Sequence, residues 1–374
     1  MACAGSPNAS APATPAPAAP DRSSVVPGPP ASLEISPRAA RVYREAYVID
    51  MHDDMPSKIL DEQYDPDVRH PAGFGAGEGN TDLPRLLESG VTAEFLSAFV
   101  DARYAQKRPD ESYARVLLYL DTIAAFARRH PDNLILATRA ADVRRAKASG
   151  KVAVFIGVEG GHSIENSLDK LRDIYRRGAR YMTLTWNNGN DWAGSSMGQG
   201  NTSRGGLTPF GRDVVREMNR LGMLVDLSHV SDSTFFDALE VSTAPVIASH
   251  SSARAINDHP RNLSDEQLRA VARNGGVVNV NFFSRFLDPA FAEGRETPLS
   301  VLIDHIDHIA KVAGVDHVGL GSDFDGVSAL PAGMEDITRL PRIAQALLDR
   351  GYSDEDVRKI LGGNMLRVMD QVLR

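Results

Sequence analysis

The sequence predicts an α/β fold, a closed (β/α)8 or TIM barrel with a binuclear metal site at the C-terminal ends of its strands. Three observations predict it. Short β-branched or apolar runs recur eight times between residues 47 and 325, helical patterns separate them, and most of the runs end in polar residues. Several runs are almost continuously apolar, as parallel strands covered on both faces require.

Taken in order, the first run is YVIDMHD at 47–53, ending in His52 and Asp53 with Asp54 next. The second, VTAEFLSAFV at 91–100, is followed by the longest excursion, about 103–150, which has room for one or two extra helices. VAVFIGVEG at 152–160 brings Glu159 to its end, and YMTLTW at 181–186 ends in Trp186. MLVDLSH at 223–229 and PVIASH at 245–250 close on His229 and His250. GVVNVNFF at 276–283 and HVGLGSDFD at 317–325 complete the set, the last carrying Asp323 and Asp325. Between them, 210–222 reads as a helix capped by Gly222, 298–314 has apolar residues at helical spacing, and helices near 338–349 and 354–373 finish the outer ring. No Gly-x-Gly-x-x-Gly loop follows the first strand, which argues against a dinucleotide-binding open sheet.

The 374 residues are 42% apolar and 24% charged, enough for one large core. A net charge of -8 lacks the basic footprint of a nucleic-acid binder, so no nucleic-acid partner is expected. The single cysteine, Cys3, allows neither an intrachain disulfide nor a cysteine zinc site. No apolar stretch approaches the ~18 residues of a membrane-spanning helix. Residues 1–35, rich in Ala, Pro and Ser through Pro30, are expected to form a disordered tether, and 36–374 the barrel domain. A cysteine followed by such a tether is what an exported bacterial lipoprotein shows once its signal is removed. The expectation is therefore a periplasmic or cell-envelope protein tethered to a membrane through a lipidated Cys3, with a cytoplasmic chain as the alternative. A homodimer is the expected assembly.

On a catalytic barrel the strand ends carry the chemistry. Strand alternation puts His52 and Asp54 on one face and turns Asp53 away. His52, Asp54, Glu159, His229 and His250 supply five nitrogen and oxygen donors from four strand ends, a set suited to zinc or a similar divalent ion. Each has a plainer alternative: a loop-bonded histidine, a turn-capping Asp54, a Glu159 paired with arginine. None explains the group together, since buried unpaired carboxylates are expensive unless cations or hydrogen bonds compensate.

The ordered motifs IDMHDDMP, TDLPRLLESGV, GVEGGHSIEN, YMTLTW, VDLSHVSDSTF, IASHSSAR, HPRNLSDEQL, GLGSDFDGV and GGNMLRV resemble the membrane (renal) dipeptidase family, zinc peptidases of the metal-dependent amidohydrolase-like barrels. The likeness spans roughly residues 45–370. It implies a metallo-dipeptidase with two divalent ions, zinc expected, acting on small dipeptides, including those with a C-terminal D-residue or glycine. His52 and Asp54 would ligate one ion, His229 and His250 the other, and Glu159 would bridge them. Asp323 would be the acid–base residue, with Asp325 as the alternative, and Arg261 would grip the substrate carboxylate unless it forms a surface salt bridge. The chain departs from the family where Thr-His is usual: it reads Thr185-Trp186, then Asn187 and Asn188. The missing imidazole contacts substrate in relatives. Trp186 is expected to reshape the pocket or pack at its rim, with Asn187 or Asn188 supplying the polar contact; His162 is a less favoured substitute. That departure keeps open another small carboxylate-bearing amide, lactam or N-acyl amino acid as substrate, and, at the far end, an inactive metal-filled barrel.

Overall fold

Successive residues of the central strands are buried on opposite faces. Phe95 and Phe155 belong to one buried cluster, while their neighbours Leu96, Ala98, Val154, Ile156 and Val158 belong to another. That period of two is the signature of a sheet packed on both faces. The computed structural model describes residues 34–106, 111–200 and 205–373. Cys3 and the Ala/Pro-rich tract through residue 33 lie outside the described residues.

Eight parallel strands form the barrel: β1 (Ile49–Asp53), β2 (Ala93–Phe99), β3 (Val152–Glu159), β4 (Ala179–Thr183), β5 (Leu224–Asp226), β6 (Ile247–Ala248), β7 (Val277–Val280) and β8 (Val318–Leu320). Each pairs in parallel with the next, and Asp50 of β1 pairs with Leu320 of β8, so the ring is closed. Seven lie within the runs read from sequence, and β4 overlaps its run but begins two residues earlier, at Ala179. The barrel interior is filled partly by aromatics, with Phe95 4.6 Å from Phe155 and 5.6 Å from Tyr181 between ring centroids. Ile49, Met51, Leu224, Ile247 and Val277 share this cluster with residues of helices Ala140–Ser149 and Asn364–Val372.

The helices between strands behave as their sequences direct. Helix Pro209–Leu221 starts at Thr208, whose hydroxyl accepts from the Gly211 amide, and stops at Gly222 with φ 77°. Helix Leu299–Ala313 fills the region read from 298–314. Two features depart from the expectation. The 103–150 excursion holds not only helices but a short strand, Leu134–Leu136, which pairs with the start of β3. The last helical region is broken by a wide turn at Lys359–Gly363. There Gly362 packs so closely on β1 that a Cβ would lie 2.2 Å from the Tyr47 carbonyl oxygen, and the helix yields to that contact. No helix among the described residues is long and apolar enough to cross a membrane.

Candidate metal centre

The C-terminal ends of β1, β3, β5 and β6 converge, and the side chains they deliver are acceptors aimed at one another. His52 Nε2 lies 3.3 Å from Asp54 Oδ2 and 3.6 Å from Glu159 Oε2. The other Glu159 oxygen, Oε1, lies 2.9 Å from His229 Nε2 and 3.3 Å from His250 Nε2. Glu159 therefore faces one pair with each oxygen. Asp323 Oδ1 stands 4.0 Å from His52 Nε2. These residues form three overlapping groups able to hold a metal: His52–Asp54–Glu159, Glu159–His229–His250 and His52–His250–Asp323. All six are buried. The arrangement is that of a binuclear divalent-metal site.

Outer hydrogen bonds aim the imidazoles. Ser249 Oγ commits its proton to Asp226 Oδ2 at 2.6 Å, so it meets His250 Nδ1, 2.8 Å away, as an acceptor. His250 Nδ1 then carries the proton and Nε2 keeps its lone pair. His229 Nδ1 likewise donates to Asn187 Oδ1 at 3.1 Å. His52 Nδ1 is 2.7 Å from the Tyr181 hydroxyl. The tyrosine reaches it because Gly157 leaves the space; a Cβ there would sit 2.0 Å from the ring. Burial drives the His229 imidazole down to about 4, reinforced by the Arg261 charge, and burial with the neighbouring His52 holds His250 well below the usual range. Both stay neutral at pH 7, as ligands must.

Two nitrogen lone pairs 2.9 Å apart, His229 Nε2 and His250 Nε2, then face a carboxylate that offers no proton. His52 Nε2 and Asp54 Oδ1 are buried without any hydrogen-bond partner. Such a cluster is satisfied by cations and by little else, so the residues present fit two metal ions.

Asp54 directly precedes helix Met55–Glu62 but makes no side-chain capping bond, so its carboxylate is left for the site. Asp53 turns the other way and accepts from Thr81 Oγ1 and the Met55 amide. Asp325 is occupied by the Asn80 and Thr81 amides. Asp323 accepts from Asn281 Nδ2 at 2.7 Å through Oδ2, leaving Oδ1 toward the centre. Burial pushes the Asp323 carboxyl up, with the Asp54 and Glu159 charges adding to it and His52 opposing. His229, Asp323 and Asp325 have φ of 66°, 64° and 61°. Such backbones are uncommon outside glycine and cluster where a site demands them. Beside them, a Cβ on Gly326 would lie 2.2 Å from Asp54 Oδ2 and 2.5 Å from Asp323 Oδ1.

A cavity of about 340 Å³ opens over the cluster, and Trp186, Asn187, Phe99, Phe283 and Phe286 are among its walls. The Trp186 indole packs edge-on against Phe99 at 4.8 Å and sits 6.3 Å from the His229 ring. Asn187 lines the cavity, but its carboxamide oxygen is held by His229. Asn188 and His162 are both buried, 3.5 Å apart, and neither is among the cavity walls. Arg261 is only 2% exposed. Its Nη2 donates to the His250 carbonyl at 3.1 Å, its guanidinium stacks 5.4 Å from the Phe286 centroid, and its Nε has no partner. No ion pair to it is found among the described residues, so a buried cation stands beside the cavity without a bound carboxylate. Tyr181, Ser249, Asp226, Asn281 and Gly326 were not singled out from sequence. A signal existed for two of them: Asp226 ends an otherwise apolar strand, and Asn281 directly follows β7 within a largely apolar run.

A family model described as membrane dipeptidase (peptidase family M19) matches residues 36–374. Among solved structures, a metallopeptidase from Rhodobacter sphaeroides, liganded with a phosphinate mimic of the dipeptide L-Ala-D-Ala, is 28% identical with a TM-score of 0.77, over 87% of this chain and 99% of that one. Dipeptidase AC, a metallopeptidase of family M19, is 30% identical with a TM-score of 0.76, over 88% of this chain and 99% of its own. The probable dipeptidase PvdM from Pseudomonas aeruginosa, at 24% identity, shares the fold with a TM-score of 0.80, over 90% and 99% of the two chains.

Proposed function

The chain belongs to the membrane dipeptidase family, and from that premise we propose that it hydrolyses the peptide bond of dipeptides using two zinc ions held by His52, Asp54, Glu159, His229 and His250. The observation that carries this reading is the convergence of three buried imidazoles and two buried carboxylates in overlapping metal-holding groups, with His52 Nε2 and Asp54 Oδ1 left without a hydrogen-bond partner. Imidazole and carboxylate donors without thiolate suit zinc among divalent ions. Bound there, the ions supply Lewis acidity toward the scissile carbonyl and acidify the attacking water.

The chain's own residues do the rest. Asp323 Oδ1 takes the proton from the attacking water and returns it to the departing nitrogen, while Asn281 keeps the carboxylate turned inward. Arg261 receives the substrate's terminal carboxylate, for which its planar fork is matched. A C-terminal D-residue fits the same clamp, as the phosphinate bound to the Rhodobacter relative suggests for that protein. This gives a direct test. Amidating the carboxylate, or Arg261→Met, should each lower kcat/KM about 10²-fold or more, the scale of truncating one partner of a buried charge pair. Combining them should add little, because both delete one interaction. Equal turnover of free and amidated dipeptides by the unaltered enzyme would sink the dipeptidase reading.

Trp186 favours a second reading, in which another small carboxylate-bearing amide or N-acyl amino acid is the better substrate. An indole offers one N–H and no cationic form where relatives place an imidazole. Restoring it by Trp186→His should raise kcat on plain dipeptides, by up to about 10²-fold if an oxyanion contact returns. An unchanged kcat would identify the indole as wall alone.

A further inference from the structure

The dipeptidase reading leaves the other end of the substrate without a partner, and the following inference rests on that reading. A free dipeptide carries an α-ammonium as well as a carboxylate, and near two divalent cations that ammonium is repelled unless an anion stands close. Five carboxylates line the cavity: Asp54, Asp101, Glu159, Asp323 and Asp325. Asp54, Glu159 and Asp323 belong to the metal-holding groups. Asp325 is anchored to the loop after β1, accepting the Asn80 and Thr81 amides at 2.8 and 3.0 Å, one on each oxygen. Asp101 is left.

Its position is right for the task. Asp101 follows β2, whose end carries Phe99, and Phe99 packs on Trp186 beyond β4. Arg261 and Phe286 follow β6 and β7, across the barrel mouth. A substrate whose carboxylate lies at Arg261 and whose scissile bond lies over Glu159 extends its amino end toward β2. We propose that Asp101 receives the substrate's free α-ammonium, with the Phe99 and Trp186 rings as the flanking wall, so that the site reads both termini of a zwitterionic dipeptide. Arg103 now occupies that carboxylate, its Nε 3.0 Å from Oδ1, but Arg103 is 66% exposed on its side chain. An exposed pair of this kind is worth little and gives way to a better-placed cation.

The test compares L-alanyl-L-alanine with N-propionyl-L-alanine, which keeps the bond and the carboxylate and lacks only the amino group. Zinc-loaded enzyme should prefer the dipeptide by about tenfold or more in kcat/KM, the scale of one charge-assisted hydrogen bond. Asp101→Asn, which retains the acceptor for the Arg103 amide, should collapse that ratio toward one, chiefly through KM. Arg103→Ala removes the competing cation and should raise the ratio, an effect no purely structural role for Asp101 produces. A ratio in Asp101→Asn equal to that of the unaltered enzyme, with two ions bound in each, would overturn this assignment alone. Failure of the loaded enzyme to hydrolyse either compound would overturn the dipeptidase reading and this assignment together.

Discussion

Replacing Glu159 by Gln is expected to empty the centre and end turnover, although the two side chains have nearly the same shape. The Glu159 carboxylate is the one group that faces both halves, Oε2 toward His52 and Oε1 toward His229 and His250. Burial alone would push this carboxyl up; the three imidazoles around it hold it well below the usual range. If Glu159 bridges the two ions as proposed, an amide in its place would remove one negative charge from the shared ligand and turn an N–H into the centre. Breaking a buried charge pair costs about 3–5 kcal/mol, a factor of roughly 10²–10⁴ in affinity. Elemental analysis of Glu159→Gln after reconstitution should find fewer than two ions per chain, with dipeptide hydrolysis at background. Two tightly held ions in that variant would show that the bridge lies elsewhere.

The second large effect belongs to Asp323. Asp323→Asn keeps the Asn281 contact available and leaves His52, Asp54, Glu159, His229 and His250 untouched, so both ions should remain. What goes is the proton acceptor, and a positioned acid–base group contributes about 10²–10⁴-fold. The expected signature is a kcat lowered by that factor, with full metal content and little change in KM. A comparable loss of metal would instead make Asp323 a ligand, a role its 4.0 Å separation from His52 Nε2 leaves within reach once ions bind. The two variants thus fail in different ways, one by losing ions and the other by losing proton transfer.

Much of this was legible in the residues. Apolar runs of strand length, most of them with polar ends, marked where all eight strands lie, because a parallel barrel needs strands buried on both faces and puts function at one end. The same logic exposed the ligand set: His52, Glu159, His229 and His250 each end an apolar run, a place where an unpaired polar group is costly. What stayed hidden depends on distance in space. Leu134–Leu136 is too short to announce a strand and exists because β3 offers it an edge. Tyr181 reads as core filling, and only the space left by Gly157 across the strand lets its hydroxyl meet His52. Ser249 reads as a small residue before a histidine, and its role depends on Asp226 from a different strand. Asn187 was read for a substrate contact, and the structure gives its oxygen to His229. Asp101 carried no motif at all; its interest comes from the cavity it shares with residues far away in sequence.

The most direct test of the central claim is a zinc titration of metal-free protein, followed by the rate of L-alanyl-L-alanine hydrolysis. Two ions acting together predict no hydrolysis without zinc and a rate that climbs until two equivalents per chain are bound. Full activity at one equivalent, or hydrolysis by the metal-free chain, would contradict a binuclear dipeptidase.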